Sequence, residues 1–222
     1  MESSRPPDTA PPERQNRPWQ YGVLGLLVLG LLLSGMRSGA LDRSDLLYFS
    51  VLIPSIVLHE VAHGAVALLF GDRTAQEAGR LTLNPVRHID PFWTILVPAM
   101  MLFYAGRAFG MAKPVPVNPS RMRSPRNHGL LTSLAGPATN IVLALLAAGF
   151  YRAARPAGTL GELTLYLGMA NVILAAFNLL PIPPLDGSSV IERFVPERYL
   201  RSYLRLRQYS FFVFIGLFFV AG

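Results

Sequence analysis

The sequence predicts an all-α polytopic membrane protein, and three observations carry that prediction. About five to six long apolar segments follow one another with short connections. Apolar residues make up 51% of the chain and charged residues only 15%, with a mean hydropathy of +0.37, an imbalance foreign to a soluble domain. The basic residues lie in the loops flanking the apolar segments, where topology signals belong. Since they form no compact patch, the net charge of +7 points to a lipid bilayer as partner and not to nucleic acid.

Residues 1–18 combine Pro, Ser, Arg and acidic residues with almost no apolar content. Such a stretch cannot bury enough surface to offset its ordering entropy, so a disordered cytosolic tail is expected. The first apolar run, 19–36, lacks the layout of a cleavable signal peptide and is expected to be a retained span. Runs at 46–70, 92–104, 130–154, 163–180 and 208–221 follow. The run at 92–104 and the last are short against the roughly 20 residues that cross a bilayer. No internal repeat and no soluble module interrupts them, so residues 19–222 are expected to form a single membrane-embedded domain.

Charge tests the number of crossings. If all six runs cross from a cytosolic amino terminus, eight of the 20 basic residues fall inside and twelve outside, against the positive-inside rule. If the run at 92–104 instead dips in and returns, sixteen fall inside and four outside. Pro98 interrupts that run, and broken backbone at membrane depth is tolerated beside protein or a wet cavity. Five crossings and one re-entrant segment are therefore expected.

The second run carries His59, Glu60 and His63, the pattern H-E-x-x-H. On a helix, residues four apart share a face, so the two imidazoles can converge on one Zn²⁺ while the glutamate acts on a bound water. The bland alternative is a pair of bundle-facing histidines satisfied by hydrogen bonds. With no cysteine in the chain, a third ligand must be a carboxylate or histidine, and the best candidate is Asp186 in "FNLLPIPPLDG". With 92–104 re-entrant, the spans leading to His59 and to Asp186 both run inward, which brings the ligands to a common depth near the cytosolic face. Pro181, Pro183 and Pro184 end regular helix before Asp186, and Gly187 is expected to relieve the turn after it. An ordinary helix stop with a solvated aspartate is the alternative.

These motifs together make the chain resemble the site-two protease family of intramembrane zinc metalloproteases. The resemblance rests on "HEVAH", "GRLTLNPVRHIDP", "KPVPVNP", "AGPATN" and "NLLPIPPLDG", in that order from about Leu46 to Gly187, and is closest to short prokaryotic members without a PDZ or CBS module. It implies a zinc ion held by His59, His63 and Asp186, with Glu60 as catalytic base, and cleavage of transmembrane protein substrates. It also implies that Asn140 lies near the site, orienting substrate or the oxyanion, and that Asn178, which opens the motif containing Asp186, holds substrate backbone. Interhelical bonding is the competing role for Asn178. His88 and Asp90 recur in the family's loop motif and are read as structural. The plasma membrane, with the site toward the cytosol, is the implied location.

The loop 79–85, "GRLTLNP", alternates apolar and polar residues, which predicts a short β-hairpin able to pair with an unwound substrate. A membrane metal transporter or a metal-binding scaffold is the alternative function. A transporter needs ligands at several depths.

Overall fold

The computed structural model describes residues 42–88 and 114–205, with residues 30, 36, 37, 39, 209 and 210. The expected tail 1–18, the run at 92–104, most of the first and last runs, and Asp90 lie outside the described residues. The chain divides into two compact units, Met1–Leu46 and Leu47–Gly222.

In the first unit, Asp42 and Asp45 cap the start of helix α1 (Arg43–Leu69) reciprocally. Each carboxylate accepts the other's backbone N–H, at 2.9 and 3.0 Å, and so satisfies donors the helix leaves over.

In the second unit, α1 ends in a Schellman motif. Gly71, at φ 104°, donates to Leu68 O and Asp72 N–H reaches back to Ala67 O. The buried Asp72 carboxylate then accepts from Thr74 N–H at 3.0 Å and Asn118 N–H at 2.6 Å, tying the short helix α2 (Thr74–Glu77) to the extended stretch 114–118. Helix α3 (Pro125–Ala154) starts with proline in its first turn and stops at Arg155, whose φ of 43° is left-handed. Three residues later begins α4 (Gly158–Asn178), packed antiparallel against α3. A bend containing the prolines leads to α5 (Ser188–Phe194), which Arg193 ties back to Asn127 at the start of α3 (2.7 Å).

Helices α1, α3 and α4 are long and apolar enough to cross a bilayer. Their packing inverts that of a soluble bundle. Ser55, Gly136, Asn140, Ala147, Ala170 and Asn171 are buried between helices, whereas Leu145, Leu146, Val172 and Ile173 face outward. Small and polar residues allow close approach and hydrogen bonding between helices, and the large side chains face lipid.

Residues rising along α1 meet residues falling along α3: Phe70 stacks on His128 with centroids 4.0 Å apart, His63 meets Thr132 and His59 meets Asn140. Against α4 the order rises on both sides, from Tyr48 with Tyr166 to Ser55 with Asn171. So α1 and α4 run parallel, as the ligand argument requires, and the chain re-enters α3 at the end of the bundle where it left α1.

The expected hairpin does not form at 79–85, and no strand occurs among the described residues. Local side-chain bonds take the backbone instead: Thr82 Oγ1 accepts from Asn84 N–H at 3.2 Å and Asn84 Oδ1 from Val86 N–H at 3.0 Å. A 3-10 turn, Pro85–His88, follows, and the buried His88 ring donates from Nε2 to Thr82 O at 2.9 Å. This is the structural role expected of His88.

Candidate metal centre

Helix α1 places His59 and His63 one turn apart on its buried face, with Glu60 half-buried beside them. Asp186 arrives from beyond α4. Gly187 donates to the carbonyl of Asn178 at 2.7 Å, which folds the chain back against the end of that helix. The glycine is needed for space: its φ is an ordinary −59°, but a Cβ there would lie 2.3 Å from Leu179 O. The expected turn relief is thus replaced by close backbone contact.

The Nε2 atoms of His59 and His63 are 3.0 Å apart, and Asp186 Oδ2 lies 3.1 Å from the first and 3.3 Å from the second. Among the described residues this is the one group of three able to converge on a metal. Both histidines are held from behind. Nδ1 of His63 faces Thr132 O at 2.7 Å, and Nδ1 of His59 faces Asn140 Oδ1 at 2.5 Å. Facing acceptors, both Nδ1 atoms carry the proton, so both Nε2 atoms present lone pairs. Two lone pairs and a carboxylate oxygen crowded this closely repel one another unless a cation lies among them. A tetrahedral zinc with bonds of about 2.0–2.1 Å spaces its ligand atoms about 3.3–3.4 Å apart, close to the separations observed.

Gly136 completes the fit. A Cβ on it would stand 2.4 Å from His63 Nε2 and 2.6 Å from His59 Nε2, so α3 contributes backbone and open space where a side chain would fill the centre. The donor set and this cradle suit zinc.

Glu60 Oε2 accepts the N–H of Val115 at 2.8 Å, which brings the stretch 114–118 against the centre. Asn140 is fully buried and uses both ends of its amide, Oδ1 toward His59 and Nδ2 toward Asn171 Oδ1 at 2.7 Å. Asn178 instead donates to Leu174 O of its own helix at 3.0 Å. Sequence reasoning singled out neither Asn171, Ser55, Gly136 nor Val115. Asn171 carried a signal, a polar side chain inside an apolar span; the others carried none that spacing reveals.

A helical membrane protein with a buried His-His-Asp cluster and a glutamate flanking its first histidine belongs, as a class, with the metal-dependent hydrolases. The profile of Peptidase family M50 matches residues 152–222. YwhC of Bacillus subtilis, named as a candidate zinc metalloprotease, is 42% identical over 179 residues, covering 75% of this chain and 77% of its own. Two proteins named Rip2, with the same description, are similar over most of this chain. That of Mycolicibacterium smegmatis is 33% identical over 168 residues, 73% of this chain and 62% of its own. That of Mycobacterium tuberculosis H37Rv is 30% identical over 207 residues, 89% and 78%. No solved structure matches the chain. The chain belongs to Peptidase family M50, the site-two protease family, and is a zinc metalloprotease with Zn²⁺ as its cofactor.

Proposed function

We propose that this protease cleaves peptide bonds within or beside membrane-spanning segments of other proteins, with His59, His63 and Asp186 holding the zinc and Glu60 as base. The observation that carries this reading is the convergence of three ligand atoms within 3.3 Å, at a point α3 leaves open by having glycine at 136. Zinc, when bound, supplies Lewis acidity toward the attacking water and the scissile carbonyl. Glu60 takes the water proton and returns it to the leaving amine, first general base and then general acid. Val115 N–H holds the carboxylate in place through Oε2. Asn140 serves His59, and the half-buried Asn178 is the candidate for substrate contact.

The parallel course of α1 and α4, with α3 starting beside the end of α1, supports a segment at 92–104 that returns to the side it left. Five crossings of a single domain over 19–222, a cytosolic tail over 1–18 and a site facing the cytosol of a plasma membrane complete the proposal, on the charge bias of the loops.

One experiment separates this function from metal transport or a scaffold. Wild type and Glu60→Gln are reconstituted with a membrane-spanning substrate. Glu60→Gln is expected to keep its zinc and lose cleavage by about 100-fold or more. Zinc flux in both proteins, with cleavage in neither, would favour the transporter.

A further inference from the structure

Behind His59 a run of buried side chains passes through Asn140 on α3 and Asn171 on α4 to Ser55 on α1. We propose that Asn171, backed by Ser55, is a positioning residue for His59: it fixes which way round the Asn140 amide sits, and through it the tautomer of the imidazole. The proposal rests on the reading of His59 as a zinc ligand.

The directions follow from groups that can only accept. Leu167 O lies 2.8 Å from one end of the Asn171 amide, so that end is the Nδ2 donor. The same NH₂ group reaches Ser55 Oγ at 2.8 Å, and Ser55 spends its own proton on Val51 O at 2.7 Å, which leaves Oγ as acceptor. Two helix carbonyls, on α4 and α1, therefore lock Asn171 with Oδ1 toward Asn140. An oxygen there requires Asn140 to present Nδ2 to it and Oδ1 to His59. His59 must then donate from Nδ1, leaving on Nε2 the lone pair that faces Asp186 and His63.

Were Asn140 turned over, its NH₂ would face Nδ1 and drive the proton onto Nε2, the atom a metal needs. Asn140 and Asn171 are fully buried and Ser55 is 1% exposed, so the run is shielded from solvent. A role confined to joining helices predicts an effect on stability alone, because it makes no use of this polarity.

The test uses the full chain purified in detergent, with zinc affinity measured by competition against a chromophoric chelator and Tm measured with and without zinc. Asn171→Leu removes the acceptor for Asn140 Nδ2 and is expected to weaken zinc binding by about tenfold or more, in the range for lost partners behind a metal ligand. Asn171→Asp keeps an oxygen toward Asn140 while losing the donors to Leu167 and Ser55. It is expected to lower Tm yet hold zinc within about threefold of wild type. In Asn140→Asp/Asn171→Leu zinc affinity is expected to recover, because aspartate has no wrong way round.

Asn171→Leu with wild-type zinc affinity and Tm lowered equally in both states would overturn the proposal while leaving the zinc reading intact. If that variant does not fold, Asn171→Asp decides, since a tenfold loss of zinc affinity there contradicts the argument. A folded wild type that takes up no zinc would bring down the zinc reading together with this inference.

Discussion

Replacing Gly136 with alanine puts a methyl group where the two imidazoles converge. Its Cβ would stand 2.4 Å from His63 Nε2, 2.5 Å from His59 Cε1 and 2.6 Å from His59 Nε2. Ordinary contact between such atoms begins near about 3.5 Å, so the rings must retreat by roughly 1 Å. Metal–ligand distances tolerate only about 0.2 Å. The rings also have hydrogen-bonded partners behind them, Thr132 O for His63 and Asn140 for His59. Zinc affinity is therefore expected to fall by about 100-fold or more, the upper end of what loss of a supporting partner causes. At 1.4 kcal/mol per decade that is about 2.8 kcal/mol. Helix propensity works the other way, since alanine is favoured over glycine inside a helix by roughly 0.5–1 kcal/mol. An unwound α3 would therefore not account for lost zinc. The assay is chelator competition on the full chain, with Gly149→Ala as control, because a Cβ at that position of α3 meets nothing within 4 Å. Zinc binding by Gly136→Ala within about threefold of Gly149→Ala would refute the reasoning.

Gly187→Ala drives a Cβ into the Leu179 carbonyl and displaces Asp186, so zinc stoichiometry should drop while helix content by circular dichroism is kept. Asp72 gives a pH dependence. Burial pushes its carboxyl up, but the Thr74 hydroxyl, the N–H groups of Asn118 and Thr74, and the charge of Arg121 outweigh that and hold its pKa below the ordinary value. The folded state therefore favours the ionised form. The stability this contributes is present above the unfolded pKa of about 3.9 and is lost as pH falls through the lower folded value. The Tm gap between wild type and Asp72→Asn should stay constant near neutrality and close below about pH 4. A gap unchanged down to about pH 2 would contradict it.

How far the sequence revealed this site depended on whether a residue's role is local. His59, Glu60 and His63 were legible because helix geometry alone puts i and i+4 on one face. Asp186 was legible because charge bias and proline placement constrained it independently, and the parallel α1 and α4 agree with the depth argument. Asn171 and Ser55 were not, since a polar residue in a span is by default interhelical bonding, and what these two connect emerges only from partners 31 and 116 residues away in sequence. Gly136 and Gly187 act through what would collide with them, which spacing does not encode. The alternation at 79–85 overstated a strand because Thr82 and Asn84 offer the backbone nearer partners. The start of α3 precedes the apolar run at 130–154, because Pro125 suits a first turn whatever the polarity of its neighbours.

The distance along the chain between His59 and Asp186, 127 residues, sets an order of events during synthesis. A ribosome adding roughly 5–20 residues per second leaves α1 in the membrane for about 6–25 s before the aspartate exists. On the proposed ligand set, the nascent protein holds two imidazoles and a glutamate but no third ligand through that interval, and the centre can close only once the α3–α4 hairpin has been made.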